Sequence, residues 1–217
     1  MRETGKRARR RISTEIKRVG PLRFIDVLAF RLYYRLFLAR QDRRWEEQKL
    51  EELRAIYPAL KDVPVLMTHS PNSEEAERFI KERRPDIMIA RCKSLLKETI
   101  FSIPTKGTLV MHPGICPEYR GNGDRSRVGM TMLRIDKGVD TGPVFGYYLY
   151  FGDDRHESHV VIQHRVVLDN LEAIGKKLHE IFLGEAVPID TKGRKSSTWG
   201  QPWLPKYLAW KSRARRG

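Results

Sequence analysis

The sequence predicts a mixed α/β fold, and two features predict it. Between residues 63 and 112, short apolar runs alternate with helical stretches over short connections, which is the pattern of βαβ units and a parallel sheet. Beyond residue 129, two more apolar runs flank a tight polar turn, which reads as an added hairpin. The chain has 217 residues, enough to bury one sizeable core.

The elements follow in order. Residues 21–57 read as helical, because Leu22, Phe24, Ile25, Leu28, Leu32, Leu36 and Phe37 recur at helical spacings before Pro58 closes the segment. Their apolar side chains are expected in a core, with a basic membrane-surface helix as the alternative. Residues 63–70 (VPVLMTHS) read as a first buried strand, and residues 73–84 as a helix with Ser73 at its N-cap. Residues 86–90 (DIMIA) give a second strand, 94–104 a helical turn or two, and 107–112 (GTLVMH) a third strand. Residues 129–136 and 143–151 form the hairpin around KGVDTG. Residues 157–184 read as one long amphipathic helix ending at Gly184. The tail carries Trp199, Trp203 and Trp210 and is expected to lie over the body through them.

Charge is unevenly placed. The net charge is +15; residues 1–20 carry +6, residues 191–217 carry +8, and the body between them is nearly neutral. This divides the chain into a basic leader (1–20), an α/β domain (21–190) and a basic, Trp-rich tail (191–217). Solvated ends that touch nucleic acid weakly and non-specifically are the expectation. Cys92 and Cys116 have neither disulfide-framework nor zinc-site spacing, and no signal peptide is visible, so a reducing cytoplasm is expected. In residues 21–39, Arg23, Asp26, Arg31 and Arg35 interrupt the apolar run, so no membrane span is expected. His156, His159 and His164 lack an evident third ligand, so no metal site is assigned.

Two loops carry candidate chemistry. The third strand stops at His112-Pro113-Gly114, and ligands collect at the carboxyl ends of strands in open α/β sheets. Asp140 sits in the turn before the last strand. If these strands are neighbours, an imidazole and a carboxylate meet there, a pair suited to proton transfer. The plain alternatives are a strand-capping histidine and a turn acid bonded to its own backbone.

The segments MHPGICPEYRG and VGMTMLRIDKGVDTGPVF, preceded by RPDIMIARCKSLLKETIFSIPTKG, resemble the folate-dependent formyltransferases. That family includes the methionyl-tRNA, glycinamide ribonucleotide and nucleotide-sugar N-formyltransferases. Its signature is an Asn-x-His-Pro strand end, a Leu-Pro-x-Tyr-Arg-Gly loop, a Gly-x-Thr strand and an Asp-x-Gly turn. The motifs fall in the same order here, over roughly residues 63–150. The resemblance implies a Rossmann-like mixed, mainly parallel sheet with flanking helices. It also implies 10-formyltetrahydrofolate as donor and a primary amine as acceptor. His112 would stabilise the developing oxyanion or move the proton, and Asp140 would hold the imidazole or an ordered water. The pterin would lie along Ile89, Ala90, Arg91, Leu95 and Leu96 and along Asp136, Gly138 and Val139. Pro117, Tyr119, Arg120, Gly121 and Asn122 would face the acceptor.

The sequence departs from the family at three places. Val110 stands where the family has asparagine, two residues before the histidine, so that part of the oxyanion site is either absent or supplied elsewhere, for example by Asn122. Seven residues separate Gly121 from Gly129, too few for the helix the family carries there. The family's opening strand and Gly-rich turn have no counterpart before Arg23. A nucleotide-linked amino sugar is the favoured acceptor, because a tRNA-formylating relative would need room for a C-terminal barrel. A folate- or nucleic-acid-binding protein with impaired catalysis is the alternative, and a homodimer is compatible with either.

Overall fold

The computed structural model describes residues 9, 12–13, 16–17, 19–92, 94–116, 129–150, 152, 155–195 and 203–216. The chain forms two compact units. One takes its residues from Met1–Leu53, Asp153–Val161 and Gly200–Gly217, the other from Arg54–Gly152 and Ile162–Trp199. The segments expected from sequence follow charge, whereas these units follow contact.

The first unit is helical. Helix α1 (Pro21–Tyr33) has proline in its first turn, where no helical hydrogen bond is lost, and runs through a π-helical segment (Tyr34–Leu38) into α2 (Ala39–Ile56). The helical reading of this stretch holds, but the burial expected of it holds in part. Val27 and Phe30 are buried, whereas Leu22, Ile25, Leu28, Leu32, Leu36 and Phe37 are exposed. Apolar residues surround α1, and packing uses one side of it.

Among the described tail residues, Leu204–Arg216 forms a helix that sequence reading did not predict. Its Tyr207 is 1% exposed, with ring centroids 5.1 Å from Phe30 and 5.8 Å from His159. Arg23 lies 4.4 Å over the Trp203 ring. Trp199 lies outside the described residues. Ser158 Oγ donates to the buried Asp42 carboxylate at 2.5 Å.

His159 carries a pH-dependent consequence. Burial among Phe30, Tyr34 and Tyr207, and then the Lys211 charge, push its pKa down from 6.5 to about 4. The unfolded chain therefore binds a proton between pH 6.5 and 4 that the folded chain refuses. Stability is full above pH 6.5 and falls on acidification by roughly 3 kcal/mol by pH 4. Urea unfolding across that range should show the loss, and His159→Phe should flatten it.

The second unit holds a four-stranded sheet in the order β1 (Met88–Ala90), β2 (Thr108–Pro113), β3 (Gly129–Arg134), β4 (Val144–Leu149). The mixed sheet with flanking helices is as expected, and β3–β4 is the expected antiparallel hairpin. The parallel part is smaller than expected. One pair, β1–β2, is parallel, and β2–β3 is antiparallel. The reason is that residues 63–70, read as a first strand, pair with no strand among the described residues. Val63, Val65 and Met67 are exposed, and Pro64 has no N–H for a ladder.

Two helices, one before β1 and one between β1 and β2, form as read. Helix α3 (Glu74–Arg83) is capped by Ser73, whose Oγ accepts from Ala76 N at 3.2 Å. A short α4 (Glu98–Phe101) precedes β2. The long helix expected over 157–184 is two helices, α5 (His159–Leu168) and α6 (Leu171–Leu183). Between them Asn170 Nδ2 donates to Val166 O at 2.8 Å, one of the local bonds that compete with a continuing helix. Gly184 ends α6 at φ 80°, as its sequence position implied. No helix among the described residues is long and apolar enough to cross a membrane.

Side chains alternate across the sheet. Leu109, Met130, Met132, Phe145 and Tyr148 form a core with Val166, Ile174 and Ile181 from α5 and α6. The β3–β4 register leaves Phe145 as the extra residue of a bulge. The other face carries a smaller cluster of Cys116, Leu133 and Val144, with Val110 and Tyr147 against it. His112 shares that second face, because it lies two residues beyond Val110 on the same strand.

Candidate active site

Strand β2 delivers His112 and then stops. Gly114 adopts φ 117°, a conformation glycine enters without penalty, and its N–H bonds Gly129 O at 2.8 Å. The turn is held from below by Thr131, which pairs with His112 across the ladder and is fully buried. Its hydroxyl donates to Gly114 O at 2.7 Å and accepts from Cys116 N at 2.9 Å. Tyr147 sits opposite Thr131 on β4, and its hydroxyl donates to Cys116 O at 2.7 Å. Arg194 Nη1 donates in turn to Tyr147 Oη at 2.6 Å.

Asp140 reaches His112, but not by the route expected. The strands β2 and β4 are not neighbours, because β3 lies between them. Nor does the β3–β4 connection start near His112, since Arg134 pairs with Leu109, three residues earlier on β2. The connection folds back instead, and Asp140 Oδ1 ends 3.2 Å from His112 Nδ1. Their side chains are 17% and 22% exposed, so the pair is shielded yet open to a ligand.

Local bonds set that return path. Asp136 Oδ1 accepts from Gly138 N at 2.9 Å and Thr141 Oγ1 at 2.7 Å. Arg134 N bonds Pro143 O at 2.9 Å, closing the neck of the loop. Gly142 fits because it has no side chain, since a Cβ there would lie 1.8 Å from the Arg134 carbonyl oxygen. Asp140 itself holds φ 54°, in the left-handed region that aspartate tolerates better than most residues.

A carboxylate at Nδ1 fixes the imidazole's orientation and favours the tautomer with its proton on Nδ1. Nε2 then carries the lone pair and can accept a proton from an incoming nucleophile.

The residues implied for a pterin fall into two segments, the end of β1 with the loop after it and the returning loop before β4. Ala90 pairs with Val110, so Ile89, Ala90 and Arg91 end β1 beside the strand that carries His112. Leu95 and Leu96 follow in a loop clamped by Asn72, whose Nδ2 donates to Leu95 O at 2.8 Å while its Oδ1 accepts from Lys97 N at 2.7 Å. Asp136, Gly138 and Val139 lie in the returning loop. Lys137 Nζ, 3.1 Å from Glu98 Oε1, ties that loop to the start of α4. Ile89, Leu95 and Val139 each expose an apolar side chain. Pro117, Tyr119, Arg120, Gly121 and Asn122 lie outside the described residues.

Sequence reading missed Asn72, Tyr147 and Arg194, and it gave Thr131 no role. Thr131 had a visible signal, as a lone polar residue in the middle of an apolar strand. Asn72 and Tyr147 act through contacts distant in sequence and carried none.

No family model matches the chain. Over 92 residues it is 35% identical to the methionyl-tRNA formyltransferase of Kosmotoga olearia, covering 38% of this chain and 29% of that protein. The enzyme of the same name from Thermotoga maritima gives 34% identity over 93 residues, with the same coverage. Over that segment this chain is similar in sequence to the methionyl-tRNA formyltransferases. The chain spans 29% of the length of these relatives.

The likeness of fold extends further than the sequence match. A sugar N-formyltransferase from a Shewanella species superposes with a TM-score of 0.50 at 16% identity, over 70% of this chain and 71% of that one. HypX from Aquifex aeolicus gives 0.50 at 21% identity, over 63% of this chain and 26% of that one.

Proposed function

We propose that this chain transfers a formyl group to the primary amine of a small anionic substrate, a nucleotide-linked amino sugar being favoured. The observation that carries the reading is the 3.2 Å approach of Asp140 to His112, made by a loop that folds back to reach it. In the formyltransferase reading His112 Nε2 takes the proton from the attacking amine, while Asp140 keeps the ring turned toward it. Thr131 and Tyr147 position the turn that follows His112.

10-Formyltetrahydrofolate would supply the formyl group. The two segments suit such a donor: Asn72 clamps one and Asp136 bonds within the other, and each offers exposed apolar side chains, Ile89 and Leu95 from one and Val139 from the other. Those side chains would hold the pterin, with Asp136 setting the shape of its loop. Free cysteines at Cys92 and Cys116 accord with a reducing cytoplasm.

A specific observation favours a second reading, a folate-binding protein with impaired catalysis. Val110 packs against Cys116, Leu133 and Val144, so an apolar contact occupies the place of the family's amide.

Binding of a stable reduced-folate analogue tests the donor half of the proposal. At a hundredfold excess over Kd it should stabilise the fold by about 2.7 kcal/mol, or roughly 5–10 °C in Tm for a chain of this length. No shift at millimolar analogue, with a cooperative melt in its absence, overturns both folate readings.

A further inference from the structure

One face of α1 is exposed among the described residues. Leu22, Ile25, Leu28, Leu32 and Leu36 are 80%, 62%, 46%, 58% and 64% exposed, and Phe37 beside them is 66% exposed. Their spacing of three and four residues puts them in one row, about 20 Å long at helical rise. The buried residues Val27 and Phe30, against which Tyr207 packs, lie on the other side of the helix. Soluble proteins seldom leave so continuous an apolar row uncovered without a partner for it.

Charge identifies the partner. Arg31 and Arg35 are exposed along the same helical stretch, and Asp26 is the one acid in residues 21–38. Through residue 38 the sequence carries eleven Lys/Arg against Glu3, Glu15 and Asp26. A second copy of this chain would bring like-charged flanks together, which is unfavourable. An anionic lipid surface accepts both features at once, the row entering the headgroup boundary and the arginines meeting phosphates.

We propose that α1 and the π-helical segment form an interfacial membrane anchor, in which Leu22, Ile25, Leu28, Leu32, Leu36 and Phe37 enter the surface of an anionic bilayer. The helix lies on the membrane and does not span it. The proposal is independent of the formyl-transfer reading.

The test is co-sedimentation of the full chain with vesicles at physiological salt. Vesicles of phosphatidylglycerol and phosphatidylcholine should bind it, and vesicles of phosphatidylcholine alone at least tenfold less. Ile25→Glu with Leu32→Glu should lower binding at least tenfold with Tm unchanged, because both positions are exposed. Leu22→Ser with Leu36→Ser is the milder pair, and Val187→Glu, at an exposed valine remote in sequence, should leave binding intact. Failure to bind phosphatidylglycerol vesicles overturns the proposal. So does binding that both row variants leave unchanged, which would be adsorption through basic residues alone. A dimer seen by light scattering and abolished by Leu32→Glu assigns the row to a second copy and also overturns it.

Discussion

His112→Ala should lower kcat for formyl transfer at least ~100-fold, the usual scale for losing a positioned acid–base group. His112 sits where β2 ends, on the sheet face away from the α5–α6 core, with Asp140 at its Nδ1. Removing the imidazole takes away the group that can accept the amine proton. The fold should survive, because the core cluster of the sheet does not include His112. Asp140→Asn should cost activity on a similar scale for a different reason. An amide can turn its NH2 toward Nδ1, stabilising the wrong tautomer and presenting an N–H where the lone pair is needed. Steady-state kinetics of both variants, beside their melting curves, check this. Near-normal turnover in both would remove the pair from the mechanism.

Gly142→Ala should be the most damaging small substitution in the returning loop. Its added methyl would lie 1.8 Å from the Arg134 carbonyl oxygen, a backbone atom at the neck of the loop that cannot swing aside. Overpacking of this kind costs about 3 kcal/mol or more, roughly 6–12 °C in Tm. The neck hydrogen bond between Arg134 N and Pro143 O must open to relieve the clash. Asp140, two residues away, would move with it, so activity should fall further than stability alone accounts for. Thermal melts and kinetics on one preparation check both halves. An unchanged Tm would mean that the loop takes another path.

Helices α1 to α4, β1, β2 and the hairpin were legible because each carries its own periodicity or stop signal, whereas the tail helix Leu204–Arg216 was not. Ser73 and Gly184 mark helix ends, and KGVDTG marks a turn. Residues 63–70 misled because apolar content resembles a buried strand whether or not a partner strand exists. The break at Asn170 left no periodic trace, since it coincides with a local side-chain bond to Val166 O. His112 and Asp140 were found as residue types in suggestive loops, but their meeting was expected from adjacent strands. It comes instead from a loop return set by Asp136, Gly142 and the Arg134–Pro143 bond, none of which leaves a periodic trace. Asn72 belongs to the same class, since it clamps residues 23 and 25 positions away.

Formation of a formamide tests the central claim most directly. The full chain would be incubated with 10-formyltetrahydrofolate and a panel of nucleotide-linked amino sugars, and products read by mass spectrometry. A formamide should appear with the wild-type chain, accompanied by released tetrahydrofolate, and should be absent with His112→Ala. A folded chain that binds reduced folate yet formylates no amine of the panel would contradict the account.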